Sequence, residues 1–294
     1  MTGAELGYLL LCSSLGEPDR KPMTLPQLRT LRRLVRQAKP ESLAGDVTPE
    51  HLMFLGYEAA QAQRIANLLS QEASLRRYLK MAQRLGITFL TPVSPGYPSR
   101  FSLLEPDIPP VLCLKGDAAL LGTPSVALVG NRELLENNLH FAQEVGRQAA
   151  KQGYTLVSGG AKGADLAAQE ACLEAGGRVV CIVTDQLYQH KERKNLLLCS
   201  ETGFDLPFSP QRALHRNKLI HALGEKTFVA QAHLGQGGTW EGALENLKNG
   251  WSPVFVFDDQ SAAAKSLVLR GAKGVVLADL KEFGKLSPAQ TALF

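Results

Sequence analysis

From residue 87 onward the chain keeps repeating one unit: a short, unbroken apolar run bounded by glycine or proline, followed by a stretch with helical periodicity. The runs cover residues 87–90, 111–114, 125–130, 154–157, 178–183, 226–230, 254–257 and 274–277. A strand that is apolar at every position is buried on both faces, which is the signature of a parallel sheet covered by helices on two sides. Crossovers between such strands are right-handed, so the expected architecture is α/β: a doubly wound, mostly parallel, Rossmann-like sheet. A chain of 294 residues has room for one such core and a smaller companion.

The companion lies upstream. Between Gly7 and Arg84 no strand-like alternation occurs, and Leu25, Leu28, Leu31 and Val35 recur at helical spacing. Pro40 closes that segment, and Thr48-Pro49-Glu50 supplies an N-cap followed by proline at the first helical position. Residues 59–83 continue helical and stop at Gly86. The expected organisation is a small all-helical domain over 1–84, an extended Rossmann-like core over 85–280, and a tail over 281–294 with no winged-helix module.

Composition narrows the class. With 45% hydrophobic and 20% charged residues the chain is an ordinary globular protein, neither disordered nor fibrous. The net charge of +4 announces no nucleic-acid binder by itself, but its distribution is uneven. Thirteen Lys and Arg face eight Asp and Glu over residues 1–100, whereas nineteen face twenty over the remainder. Arg29, Arg32, Arg33 and Arg36 read most simply as the wet face of an amphipathic helix. Five scattered cysteines without a Cys-x-x-Cys pair argue for a reducing compartment, the cytoplasm, and against a disulfide framework or zinc site. The six histidines show no metal-ligand spacing. No apolar window is long enough to cross a membrane, and the apolar stretch after Gly7 is too short for a signal peptide. No cofactor is expected.

In a doubly wound sheet, ligands bind beyond the carboxyl ends of the strands. Four loops fall there. Gly130-Asn131-Arg132 follows one strand directly. Ser158-Gly159-Gly160-Ala161-Lys162-Gly163-Ala164-Asp165 runs from a strand into a helix, where free N–H groups and the positive end of the helix dipole favour an anion. This loop is neither a Walker A motif nor Gly-x-Gly-x-x-Gly, so nucleoside triphosphatase and nicotinamide dehydrogenase readings have no support. Asp165 has a second reading as a helix-capping carboxylate. The third loop carries Arg216, Asn217 and Lys218. Because residues two apart diverge by about 200° on a helix, Arg216 and Lys218 reach one phosphate chain only at a helix end or turn. The fourth, Gly235-Gln236-Gly237-Gly238-Thr239-Trp240-Glu241, repeats the design of glycines opening a helix. Tyr188, Phe204, Phe208 and Trp240 lie in or near these loops and are candidates for stacking on bases.

Five motifs in order resemble the DprA/Smf family of DNA-processing proteins. They are Tyr97-Pro98 with Pro109-Pro110-Val111-Leu112 and Lys115-Gly116-Asp117; residues 126–132, ending Val129-Gly130-Asn131-Arg132; residues 157–165; Ser200-Glu201; and Arg216-Asn217-Lys218-Leu219-Ile220. The resemblance implies a recombination mediator without catalytic turnover. Such a protein binds single-stranded DNA, acts as a homodimer and loads a RecA-type recombinase during DNA uptake or recombination. It implies a basic pocket for the DNA backbone at Arg132, Ser158, Gly159, Lys162, Gly163, Arg216, Asn217 and Lys218; with the loop reading, the expected phosphate-binding set also takes in Gly130, Gly160, Asp165, Gly237, Gly238 and Thr239. Lys162 and Lys218 stand where the family has arginine, which keeps the charge and loses the bidentate fork. Gly238-Thr239-Trp240-Glu241 departs further and is similar to the cytokinin-activating phosphoribohydrolases. The alternative is therefore a nucleotide-binding protein, or a nucleotide N-glycosidic hydrolase with Glu241 stabilising the ribosyl cation.

Overall fold

The computed structural model describes residues 1–38 and 47–289. Pro40 and the last five residues of the expected tail lie outside the described residues. The chain divides into two compact units. One comprises Met1–Tyr97 with Pro109–Cys113 and Glu201–Gly203; the other comprises Pro98–Ile108, Leu114–Ser200 and the chain from Phe204 onward.

The first unit is mainly helical: α1 (Gly3–Cys12), α2 (Leu25–Gln37), α3 (Pro49–Phe54), α4 (Ala59–Ser70) and α5 (Glu72–Arg84), followed by the strand β1 (Ile87–Leu90). Three of these helices start on a threonine N-cap, at Thr2, Thr24 and Thr48, with proline in the first turn of α2 and α3. Helix α1 is buried from Tyr8 to Cys12, as a helix apolar on every side must be. Tyr8, Leu11 and Cys12 pack with Leu28 and Leu31 of α2 and with Leu52, Ile65 and Leu68. Leu9 and Leu10 pack instead with Leu75 of α5.

After β2 (Leu112–Lys115), the second unit is built on seven strands: β3 (Ser125–Val129), β4 (Thr155–Gly159), β5 (Arg178–Ile182), β6 (Leu196–Glu201), β7 (Thr227–Val229), β8 (Val254–Phe257) and β9 (Lys273–Val275). They pair in the order β6-β5-β4-β3-β7-β8-β9, parallel throughout. Every residue of β3, β4, β6, β7 and β8 is buried. The chain leaves β3 in one direction through β4, β5 and β6, then returns to its other side at β7. A crevice therefore opens between the carboxyl ends of β3 and β7, where the winding reverses.

Helices α6 (Glu136–Lys151), α7 (Ala164–Glu174), α8 (Pro210–Leu223), α9 (Gly238–Asn249) and α10 (Ala262–Leu269) complete the unit. On α6, Ala142, Val145 and Ala149 are buried together with Asn138 and Phe141. Leu135 and Leu139 are exposed. Leu135 precedes the helix as its N-cap, outside the helical repeat. The strand β6 was not expected, and residues 215–221, read as a loop, lie inside α8.

Candidate functional site

The crevice holds a cleft of about 650 Å³ walled by residues from four elements. Gly130, Asn131 and Arg132 come from the end of β3; Asp165 from α7; Phe208, Arg216 and Asn217 from α8 and its approach; Gly237, Gly238 and Thr239 from the start of α9. A second cleft of about 560 Å³ shares Arg132, Phe208 and Arg216 with the first and adds Gly160, Lys162 and Asp185.

Close backbone approach builds this rim. At Gly163 the chain takes φ +84°, and a Cβ there would run into the carbonyls of Asn131 and Arg132. The Ala164 N–H donates to the Asn131 carbonyl at 3.1 Å, tying the first turn of α7 to the loop after β3. Neither α7 nor α9 has a side chain capping its N-terminus; their N-cap residues are Gly163 and Gly237. Both helices thus keep unpaired N–H groups near the rim.

Arg216 is the centre of the arrangement. It is 7% exposed, and its Nη1 donates to the Ile182 carbonyl at 2.8 Å, while its Nε has no partner among the described residues. Its guanidinium lies over Gly159, where any Cβ would collide with Nη1 and approach Asp165 Oδ2 to 2.5 Å. Asn131 Nδ2 is likewise buried without a partner. Each is an enclosed donor whose missing hydrogen bond costs the fold about 1–3 kcal/mol. Asp165 accepts from the Ala161 N–H at 3.4 Å, so it braces the loop before its own helix. Burial pushes its carboxyl up to about 6, against the opposing pull of Arg216.

Eight residues of the expected set, Gly130, Arg132, Asp165, Arg216, Asn217, Gly237, Gly238 and Thr239, line the first cleft. Gly160 and Lys162 line the second. The others do not line either. Ser158 is fully buried and accepts from Gln169 Nε2 at 2.6 Å; Gly159 and Gly163 act through the contacts given above. Lys218 is a correction. Within the continuous helix α8 it points away from Arg216, and its Nζ sits 3.1 Å from both Asp107 and Glu245. Glu241 is exposed in the first turn of α9 and lines neither cleft. Asn131 of the first loop also lines the first cleft, and of the stacking candidates Phe208 is 51% exposed and walls both clefts, whereas Phe204 and Trp240 are buried. Ser209-Pro210, an N-cap followed by proline, marks the start of α8 and so places Phe208 at its mouth.

Comparison with known proteins gives a consistent result. The sequence profile of DNA recombination-mediator protein A matches residues 88–283. The chain is 31% identical over 183 residues to DNA processing protein DprA of Streptococcus pneumoniae, covering 57% of this chain and 64% of that protein. It is 28% identical over 184 residues to protein Smf of Synechocystis, covering 57% and 46%. The matched stretch is thus less than two thirds of either relative's length. The solved structure of the Streptococcus pneumoniae DprA shares the fold, with a TM-score of 0.65 at 24% identity over 84% of this chain and 88% of that one. The DNA processing protein A of Helicobacter pylori, whose structure concerns its single-stranded DNA binding mode, aligns with a TM-score of 0.56 at 28% identity, over 64% of this chain and 90% of that one. The chain belongs to the DNA recombination-mediator protein A family.

Proposed function

We propose that this protein binds single-stranded DNA at the crevice between β3 and β7, independently of sequence and without turnover, as a recombination mediator. One observation carries the reading: Arg132, Lys162 and the buried, under-bonded Arg216 converge on adjoining clefts beside two uncapped helix N-termini. Cations and main-chain N–H groups at this density suit phosphate oxygens, which position a strand without reading its bases. Phe208 and Leu214, each 51% exposed, supply apolar wall on which a base can rest. The binding mode of the Helicobacter pylori relative supports the same ligand.

In this reading the protein protects single strands and passes them to a RecA-type recombinase in the cytoplasm. It works as a homodimer. The exposed Val268, Leu269 and Val276 beside the edge strand β9 offer apolar surface to a second copy. Replacing Leu269 by Glu is expected to shift the protein to monomer in sedimentation.

The test of the central claim is fluorescence anisotropy of labelled oligo-dT across a salt series. Three phosphate contacts give a slope of log K against log salt of about −2, at roughly −0.7 per contact on single strands. Arg132→Gln with Lys162→Gln is expected to flatten it by about 1.4. Undetectable binding at low salt, or a slope indifferent to those substitutions, overturns the proposal.

A further inference from the structure

The proposed site leaves the helical unit without a role, yet that unit holds the chain's basic excess. On α2, Arg29, Arg32, Arg33 and Arg36 all lie exposed. At about 100° per residue they fall within one arc of about 100°, with Leu31 on the opposite side and Leu28 on the flank, both leucines buried in the core. The helix contains no acidic residue and no lysine. The stripe rises about 10 Å from Arg29 to Arg36, the span of about three phosphates of a stacked strand at roughly 3.4 Å each. Guanidinium groups fit phosphate oxygens in bidentate geometry, which favours arginine over lysine for such a surface.

We propose that the helical unit carries a second surface for single-stranded DNA, with the α2 arginines holding phosphates. The choice of ligand rests on the function proposed for the crevice; the surface itself does not. A membrane is disfavoured because the apolar side of α2 is committed to the core, leaving no edge to insert.

The experiment uses the full chain and labelled oligo-dT. The variant Arg32→Gln/Arg33→Gln/Arg36→Gln is compared with Arg77→Gln/Lys80→Gln/Arg84→Gln, which removes equal charge from α5, packed in a different cluster around α1. The α2 variant is expected to lower affinity at low salt about tenfold and to flatten the salt slope by about 2, with the α5 variant near wild type. Wild-type binding by the α2 variant, equal losses in both variants, or polyglutamate competing as well as oligo-dT would each overturn the inference. Arg216→Ala separates the two sites: if the crevice reading fails, that variant binds normally while the α2 variant still loses affinity.

Discussion

Gly159→Ala tests the site by displacing a charge without removing one. The added Cβ would occupy the place of Arg216 Nη1 and approach Asp165 Oδ2 to 2.5 Å. Both neighbours are buried, so neither can swing into solvent in place. The guanidinium must move, giving up its 2.8 Å bond to the Ile182 carbonyl. A lost charge-assisted bond costs about 1.5–3 kcal/mol and overpacking about 1–3, partly overlapping, so the variant is expected to lose about 2–4 kcal/mol in urea unfolding. If Arg216 contacts a phosphate from its present position, affinity for oligo-dT falls about tenfold to a hundredfold and the salt slope flattens by about 0.7. Net charge is unchanged, so bulk electrostatics cannot produce that change in slope. A variant that is destabilised yet binds with wild-type affinity and slope would refute the role of Arg216 in the crevice.

Phe208→Ala is expected to weaken oligo-dT binding by about 1–3 kcal/mol with the salt slope unchanged, because stacking releases no counterions; anisotropy at two salt concentrations checks both. Lys218→Ala is expected to leave binding at wild-type strength and to cost at most about 1 kcal/mol of stability, since its two carboxylate partners are partly exposed. Gly146→Ala places a Cβ against the Ala168 carbonyl where α6 crosses α7, so it should destabilise by about 1–3 kcal/mol in urea melts and leave affinity intact. Asp165 has a folded-state carboxyl raised from 3.8 to about 6, so the fold prefers its protonated form. Its contribution to stability is full below about pH 4 and is lost as pH rises through 6, a change of about 3 kcal/mol. The stability gap between Asp165→Asn and wild type should therefore widen in favour of the variant from pH 4 to pH 7; a gap constant over that range contradicts the raised value.

The fold was legible because its constraints are local. Unbroken apolar runs marked six of the seven parallel strands of the second unit, and Thr48 with Pro49 marked the start of α3 upstream. The strand β6 escaped because Leu196-Leu197-Leu198-Cys199 is as apolar as a buried helix, and periodicity cannot separate the two in so short a run. Helix α8 escaped for the opposite reason. Its inward residues include Arg216 and His221, so a polar sequence covers a buried face and reads as a loop. His221 is fully enclosed, and burial pushes it down to about 3, so it sits there neutral.

The site was legible only as far as the backbone explains it. Gly163 turns at positive φ, a need that the glycine itself signals. Gly159 is different: it ends a strand, and its missing side chain leaves volume for a guanidinium arriving from α8. No local pattern encodes that need, because the partner lies 57 positions along the chain. Lys218 fails for the same reason in reverse: its carboxylate partners, Asp107 and Glu245, sit in distant segments that the sequence order does not bring near it. Arg216 keeps an Nε without a partner among the described residues, whereas Lys218, two residues away on the same helix, is tied to two carboxylates.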